Sequence, residues 1–456
     1  MKKSWSIDGG LSENDIKEIH LWALNLIEKV GIQTPSKLAL SMLEGKSGVK
    51  IKENRVFITP EIVEQLLGPF PKKVEDNQIE PSFHISGYAL RCYDFKTGEI
   101  KKPTTNDMIE FAKIAHALGV SGSTIVFPTD LPQKLAEIAT YKLCLDVSDR
   151  VFGAGVFSDE NVFDFVHEML FVINSRYELG MHMISPMAFD PFLLEMAIKY
   201  IRRKPSFSVG NMPMMGATIP IDFFGALAQS CAEVLGGAAI LKLLAPECDV
   251  SFVPFIYPFD MKYGTIVYGG PDFIKGNLIL NQVAQFYGTT VMAKAFNTMA
   301  KFPDDAQLGI NLCGCVLMMM AGMKKFGWSG TCCIDEIGSI EKVIIDYEIF
   351  RMAKHIVDGI ELTFYDVSEI VSQCIKEGTF IMHESTLTNY KKQFFESEIF
   401  SNETFAKWDS SGRTRLVDKV REQAKKLLNQ HHFERNKDQQ KELDRIWEEA
   451  KNHFSL

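Results

Sequence analysis

Apolar residues recur along this chain at two spacings, and the switch from one to the other repeats. Residues 207–240 read FSVGNMPMMGATIPIDFFGALAQSCAEVLGGAAI. The run at 207–210 is short, continuous and apolar, the pattern of a buried strand. A loop rich in Gly, Pro and Met follows at 211–220. A helix then opens near Ile221, with Phe223, Leu227, Val234 and Leu235 about one helical period apart. Pro220 suits the first turn because it has no N–H to lose, and Asp222 suits the positive end of the dipole. One strand–loop–helix unit cannot bury both faces of its strand, so it predicts neighbours of its own kind.

Strand-like runs fall at 124–127, 151–156, 181–185, 207–210, 250–256, 290–296 and 325–329. Helical stretches at 133–146, 161–173, 192–201, 223–244, 272–286, 305–323 and 340–357 alternate with them. Alternation at a spacing of ~30 residues predicts βαβ crossovers and a parallel sheet. Its repetition favours a closed (β/α)8 barrel of the TIM type, with an open doubly wound sheet as the alternative. The eighth strand is assigned to 90–93, 360–364 or 379–382. Ahead of the repeats, 14–30 reads as an amphipathic helix capped by Ser12, 55–58 as a strand, and Thr59 and Pro60 as the opening of a short helix. Thr105 is the predicted cap of a helix at 106–118. The expected organisation is an α/β chain with an N-terminal cap at 1–88, the barrel at 89–400 and a helical extension at 401–456.

Composition narrows the function without naming it. The chain has 456 residues, 46% hydrophobic and 23% charged, with a formal net charge of -9. This balance is ordinary for a globular protein and argues against a general nucleic-acid binder. The start, MKKSWSIDGGLSEND, lacks the apolar core of a signal peptide, and no stretch reads as long and apolar enough to span a bilayer. Nine Cys without an export signal predict reduced thiols and a cytoplasmic location. Cys313 with Cys315, and Cys332 with Cys333, have no partner pair at zinc spacing, so buried thiols and no tightly bound metal are expected. No GxxxxGKS/T, GxSxG or HExxH motif occurs.

In a barrel the chemistry sits at the C-terminal ends of the strands. Those ends read Phe127-Pro128-Thr129-Asp130, Phe157, Ser185-Pro186-Met187, Asn211-Met212-Pro213-Met214-Met215, Phe255-Ile256-Tyr257, Phe296-Asn297-Thr298 and Trp328. They are aromatic and Met-rich, with little charge, no nucleophile–base pair and no carboxylate dyad. Ring faces attract a quaternary ammonium without hydrogen bonds. The plainer reading, that the rings simply close the barrel mouth, stands beside it.

From about Tyr88 onward the chain resembles the trimethylamine/glycine betaine–corrinoid protein methyltransferase family, in its branch lacking pyrrolysine. CYDFKTGEIKKPTTNDMIEFAKIAHAL is similar to the family's D-x-x-T-G-E-x-R-x-x-T-x-x-D opening. Gly216, Thr218, Pro220, Gln229, Glu233 and Gly236 match its G-A-T-x-P loop and Ala-Glu-x-L-x-G helix. YGGPDFIKGNLILNQVAQFYGTTV resembles the segment before its sixth strand. SIEKVIIDYEIFRMAKHIVDGIEL and RTRLVDKVREQAKKLLNQHHF resemble its closing helices. Two departures stand out. Thr298-Met299-Ala300-Lys301 replaces a frequent Thr-Asp-x-Lys, and His383-Glu384-Ser385-Thr386 replaces a frequent His-x-His-Thr. The pyrrolysine of founding members would lie close to Phe296.

The resemblance implies methyl transfer from a betaine-like quaternary amine to cobalt(I) of a corrinoid (cobalamin) carried by a separate small protein. Such a catalyst needs to desolvate the cation, align one methyl and dock the corrinoid, so no catalytic side chain is assigned. The implied cage is Phe127, Tyr257, Phe296 and Trp328, with Asn211 and His383 on a polar tail. Met214, Met215 and Gly216 are assigned to the corrinoid-facing loop, where flexible apolar groups suit a transient interface. A homo-oligomer is expected, with no nucleic-acid or membrane partner. Met299 and Ser385 keep open a quaternary-amine binding protein without methyl transfer. The nine Cys keep open a zinc-dependent corrinoid methyltransferase acting on an alcohol or thiol.

Overall fold

Two arcs of parallel strands organise the chain, seen in a computed structural model that describes residues 2–3, 5–72, 79–153, 155, 157–175 and 178–454. In the first arc the order is Lys325–Ser329, Ser82–Ile85, Ser121–Ser123, Val151–Phe152, each parallel to the next. In the second, Val250–Val253, Ser206–Asn211 and Glu178–Ile184 are parallel neighbours, with Glu178 opposite Ser206 and Met183 opposite Asn211. Ala293, within the predicted 290–296 strand, forms a parallel bridge to Phe326. Parallel neighbours need long crossovers, and helices supply them. They are Thr105–Ala117, Gln133–Val147, Glu160–Val172, Pro191–Tyr200, Phe223–Leu244, Pro271–Tyr287, Leu308–Met320 and Ile340–Val357. The predicted end of one strand, Val156, lies outside the described residues.

The eighth-strand assignments are corrected. The strand that joins Lys325–Ser329 to Ser121–Ser123 is Ser82–Ile85. Its four residues, SFHI, are too short and too polar to stand out by periodicity. Arg91–Tyr93 pairs with Ile100–Lys101 and Ile337–Gly338, and Ile360–Glu361 pairs with Lys2–Lys3. Residues 379–382 hold no strand. A boundary at 88 would therefore detach a strand that belongs to the arc.

Two caps shift as well. Thr104, not Thr105, caps its helix, accepting from the Asp107 N–H at 3.3 Å. Asp222 lies ahead of the first turn and accepts from the Gly225 N–H at 2.8 Å, so the helix opens at Phe223. Ser12 caps the first helix as its sequence indicates.

Phe223–Leu244 is long and apolar enough to cross a membrane, contrary to the sequence reading. Its apolarity has a local cause. It is buried on nearly every side, between Glu13–Lys29 and the second arc. Gly236 and Gly237 allow that approach: added Cβ atoms would stand 2.7 Å from Ile32 and 2.7 Å from the Met183 sulfur. Leu179, Met181 and Met183 face this helical layer, while the alternating Gly180, His182 and Ile184 are open or half-open to solvent. Ser208 and Gly210 continue that small, polar, incompletely filled face.

The N-terminal strands Ile32–Gln33, Arg55–Ile58 and Val49–Lys52 extend the edge beside Ala188–Phe189. At the other end, Leu416–Gln430 and Lys437–Phe454 pack onto the outer helices through Val420, Ala424, Leu443 and Ile446.

Candidate functional site

A buried lysine sits where the strand ends converge. Lys294, one residue beyond the Ala293 bridge, is 6% exposed. Its Nζ lies 4.0 Å from the ring centroid of Phe255, 4.7 Å from Tyr257 and 4.6 Å from Trp328. Nζ also donates a hydrogen bond to the Tyr257 hydroxyl. Phe255 and Tyr257 follow the Val250–Val253 strand of the second arc, and Trp328 ends the first arc. One ammonium therefore joins the C-terminal ends of both arcs.

The backbone is shaped for this contact. The ladder from Lys325–Ser329 to Ser82–Ile85 shifts register between Phe326 and Ser329. Trp328 takes φ 61°, a left-handed conformation that costs a bulky residue on the order of 1 kcal/mol or more. Below Tyr257 the rings continue, with Tyr268 5.8 Å away and Phe273 5.4 Å beyond that. Met299 and Ile334 pack against the same cluster.

Burial among the rings pulls the Lys294 pKa down to about 7, opposed by the nearby Asp335 carboxylate. Asp335, half-buried in the turn after Thr331–Cys332, has its own pKa raised, first by burial. His182 is exposed on the strand face opposite Met181 and Met183, yet burial lowers its pKa, opposed by the Asp190 carboxylate and helped by the Lys294 charge.

Asn211 has a different place from the one expected of a tail-binding residue. It is 4% exposed, and its Nδ2 donates to Glu233 Oε2 at 2.8 Å and to Ser230 Oγ at 3.1 Å. Its Oδ1 accepts from the Phe255 N–H at 3.0 Å. Glu233, fully buried, also accepts from Ser185 Oγ, the Met187 N–H and Gln229 Nε2. This network ties two strand ends to the long helix and fixes the backbone of Phe255. The matched Gln229 and Glu233 thus support the site without facing it.

Of the expected cage, the structure brings Tyr257 and Trp328 together. Phe296 is fully buried outside it, 5.1 Å from the Phe83 ring, and so belongs to the core between strand and helix. Phe127 is half-buried, held by its N–H to Ala89 O at 3.0 Å, and among the described residues it makes no ring contact with the cluster. His383 caps the distant helix Glu384–Gln393 and bonds to Ser385 Oγ at 2.7 Å. In the loop, Met215 is buried and its N–H binds Tyr257 O at 2.8 Å, while Met214 is half-buried and forms a parallel bridge with Tyr257. Met212 is the exposed methionine, at 49%. Gly216 has φ 85°, the conformation that only glycine adopts freely.

Sequence reasoning missed Lys294 and Asp335. Lys294 carried a signal, a lone charge inside the apolar run TVMAKAF. Asp335 carried none, being a turn residue between two-residue strands. Cys313 is exposed and Cys315 buried, which corrects the expectation that both are buried. Among the described residues no group of three His, Cys, Asp or Glu gathers as a metal site.

The trimethylamine methyltransferase (MTTB) family model matches residues 8–452. The chain is 24% identical over 438 residues to the glycine betaine methyltransferase of Desulfitobacterium hafniense (strain Y51), covering 87% of this chain and 88% of that one. It is 21% identical over 424 residues to the L-carnitine:corrinoid methyltransferase of Eubacterium limosum, covering 86% of each. Trimethylamine methyltransferase MttB1 of Methanosarcina mazei is 25% identical over 250 residues, 54% of this chain and 50% of that one. With a match that runs nearly end to end, the chain belongs to the trimethylamine methyltransferase (MTTB) family.

Proposed function

We propose that this protein moves a methyl group from a quaternary amine to the cobalt(I) of a corrinoid held by a separate small protein. The observation that carries this reading is the ring cluster of Phe255, Tyr257 and Trp328, which already keeps one ammonium, that of Lys294, out of water. Ring faces do the same for a donor's quaternary nitrogen. The names of the glycine betaine and L-carnitine relatives support the same substrate class.

The acceptor corrinoid supplies a nucleophilic metal, so the chain need not supply a nucleophile. A quaternary nitrogen leaves as a neutral amine, so no proton has to be delivered. The protein's own work is to strip water from the donor and fix one methyl in line. Met212, Ile221 and Phe224, exposed around the loop that follows Asn211, and Met261 and Tyr263, exposed after the next strand, give a largely apolar rim, interrupted by Asp222 and Lys262, suited to a transient partner.

We also read the two arcs as parts of one (β/α)8 barrel, since Lys294 touches both and eight helices follow eight strand positions. On this reading the N-terminal cap ends before Ser82, and the helices after residue 400 lie outside the barrel. Exposed Phe364, Ile381 and Phe394 support a homo-oligomer, because a second copy would cover them.

A thermal-shift screen of N-methylated compounds tests the substrate class, because a ligand of the native state raises its melting point. The expected result is stabilisation by quaternary amines. Stabilisation by methylated alcohols or thiols, with none by quaternary amines, would overturn the reading.

A further inference from the structure

We propose that Lys294 and Asp335 together select a zwitterionic methyl donor, the Lys294 ammonium taking its anionic tail and the Asp335 carboxylate facing its quaternary nitrogen. This deepens the quaternary-amine reading and rests on it.

Lys294 has unused hydrogen-bonding capacity. An ammonium carries three N–H donors. Among the described residues, Lys294 Nζ, nine-tenths buried, bonds to the Tyr257 hydroxyl and otherwise faces the rings of Phe255, Tyr257 and Trp328. Rings balance charge but accept no ordinary hydrogen bond. A carboxylate brought to this position would complete the shell and gain the strength of a charge-assisted bond.

A donor with nothing but a positive charge would meet the Lys294 ammonium in a desolvated site, where like charges repel far more than in water. A donor that carries its own anion turns that repulsion into attraction. Asp335 supplies the opposite pole: it follows Ile334, which packs on the Tyr257–Tyr268 ring cluster, is half-buried, and among the described residues forms no direct ion pair, and its charge acts on Lys294. His182 also senses Lys294: burial lowers its pKa, the Asp190 carboxylate opposes this, and the Lys294 charge lowers it further. Asn211 is committed to Glu233, Ser230 and Phe255 and does not compete for the tail.

The test compares carboxylated donors, glycine betaine and L-carnitine, with tetramethylammonium and choline, by calorimetric titration. Wild type should prefer the carboxylated pair. Lys294→Met, which keeps the length of the stem, should weaken that pair by about 10–100-fold, the scale of a hydrogen bond to a charged group. It should leave tetramethylammonium unchanged or tighter. Lys294→Arg should retain the preference, and Asp335→Asn should weaken all four ligands. If the Met variant does not fold, wild type alone decides: raising the pH through 7 should weaken the carboxylated donors and not tetramethylammonium. Equal loss for both classes in the variant, or the same pH response for both, would overturn the inference. Wild type that binds choline and tetramethylammonium but neither carboxylated donor would overturn it while leaving the quaternary-amine reading intact. Binding of none of the four would overturn both.

Discussion

Lys294 holds its ammonium nitrogen 4.6 Å from the ring centroid of Trp328, and Ala293 and Phe326, beside them, form the bridge that joins their strands. The cation and the indole are thus placed by the same backbone pairing. The aromatic cluster is built and desolvated before any donor arrives.

Trp328→Ala and Phe296→Ala should therefore differ in kind. Removing the indole should weaken quaternary-amine binding by ~1–2 kcal/mol, the scale of a desolvated cation–π contact. Removing the fully buried Phe296 ring should instead cost ~3–5 kcal/mol of folding stability, with little change in affinity of the folded fraction. Calorimetric titration and denaturant unfolding of both variants separate the two effects.

The depressed pKa of Lys294 makes stability depend on pH. Between about 7 and the ordinary lysine value the unfolded chain holds a proton that the folded chain has released. Unfolding then takes up a proton, so raising the pH favours the folded state, by on the order of 1 kcal/mol per pH unit just above 7. Lys294→Met should remove this slope. Denaturant curves at two pH values above 7, for wild type and variant, measure it.

Asn211→Ala should act through the frame. It takes one donor each from buried Glu233 and Ser230 and leaves the Phe255 N–H without its acceptor, so a stability loss of ~2–3 kcal/mol is expected. Affinity should fall for carboxylated and uncharged-tail donors alike, because Phe255 is loosened. A loss confined to carboxylated donors would mark Asn211 as a direct tail ligand.

The rim makes a separate prediction. Changing exposed Met212 and Ile221 to Ser should slow transfer to a corrinoid protein and leave transfer to free cob(I)alamin unchanged. Met215→Ser, at a buried position, should lower the melting temperature and affect both reactions. Assays with the two acceptors, beside melting curves, distinguish them.

The alternation of strands and helices was legible because long amphipathic or buried helices announce themselves: Phe223–Leu244 and Ile340–Val357 have the bounds their sequences suggest. Ser82–Ile85 was not, since a four-residue strand takes its identity from the neighbours it pairs with. The site divided the same way. Tyr257 and Trp328 were readable as strand-end aromatics. Phe296 was misplaced because its strand is reduced to one bridge at Ala293, and strand alternation could not say which side chain faces the ring cluster. Lys294 was hidden in an apolar run, where a buried charge is chosen by tertiary surroundings. Met299 stands where the family often has an acid, and it packs on the rings beside Ile334. The neighbouring Asp335 brings a carboxylate to this region from another loop, a substitution that only the fold reveals.

The central claim is methyl transfer, and anaerobic turnover measures it directly. Wild-type protein, a reduced corrinoid protein and a quaternary amine are mixed, and methylated corrinoid is followed by its absorbance. Glycine betaine or L-carnitine should yield methylated corrinoid and an equal amount of the demethylated amine, with the yield depending on Trp328. Binding of these amines without any methylated corrinoid, under conditions where a related transferase turns over with the same corrinoid protein, would contradict the account and leave a binding protein in its place.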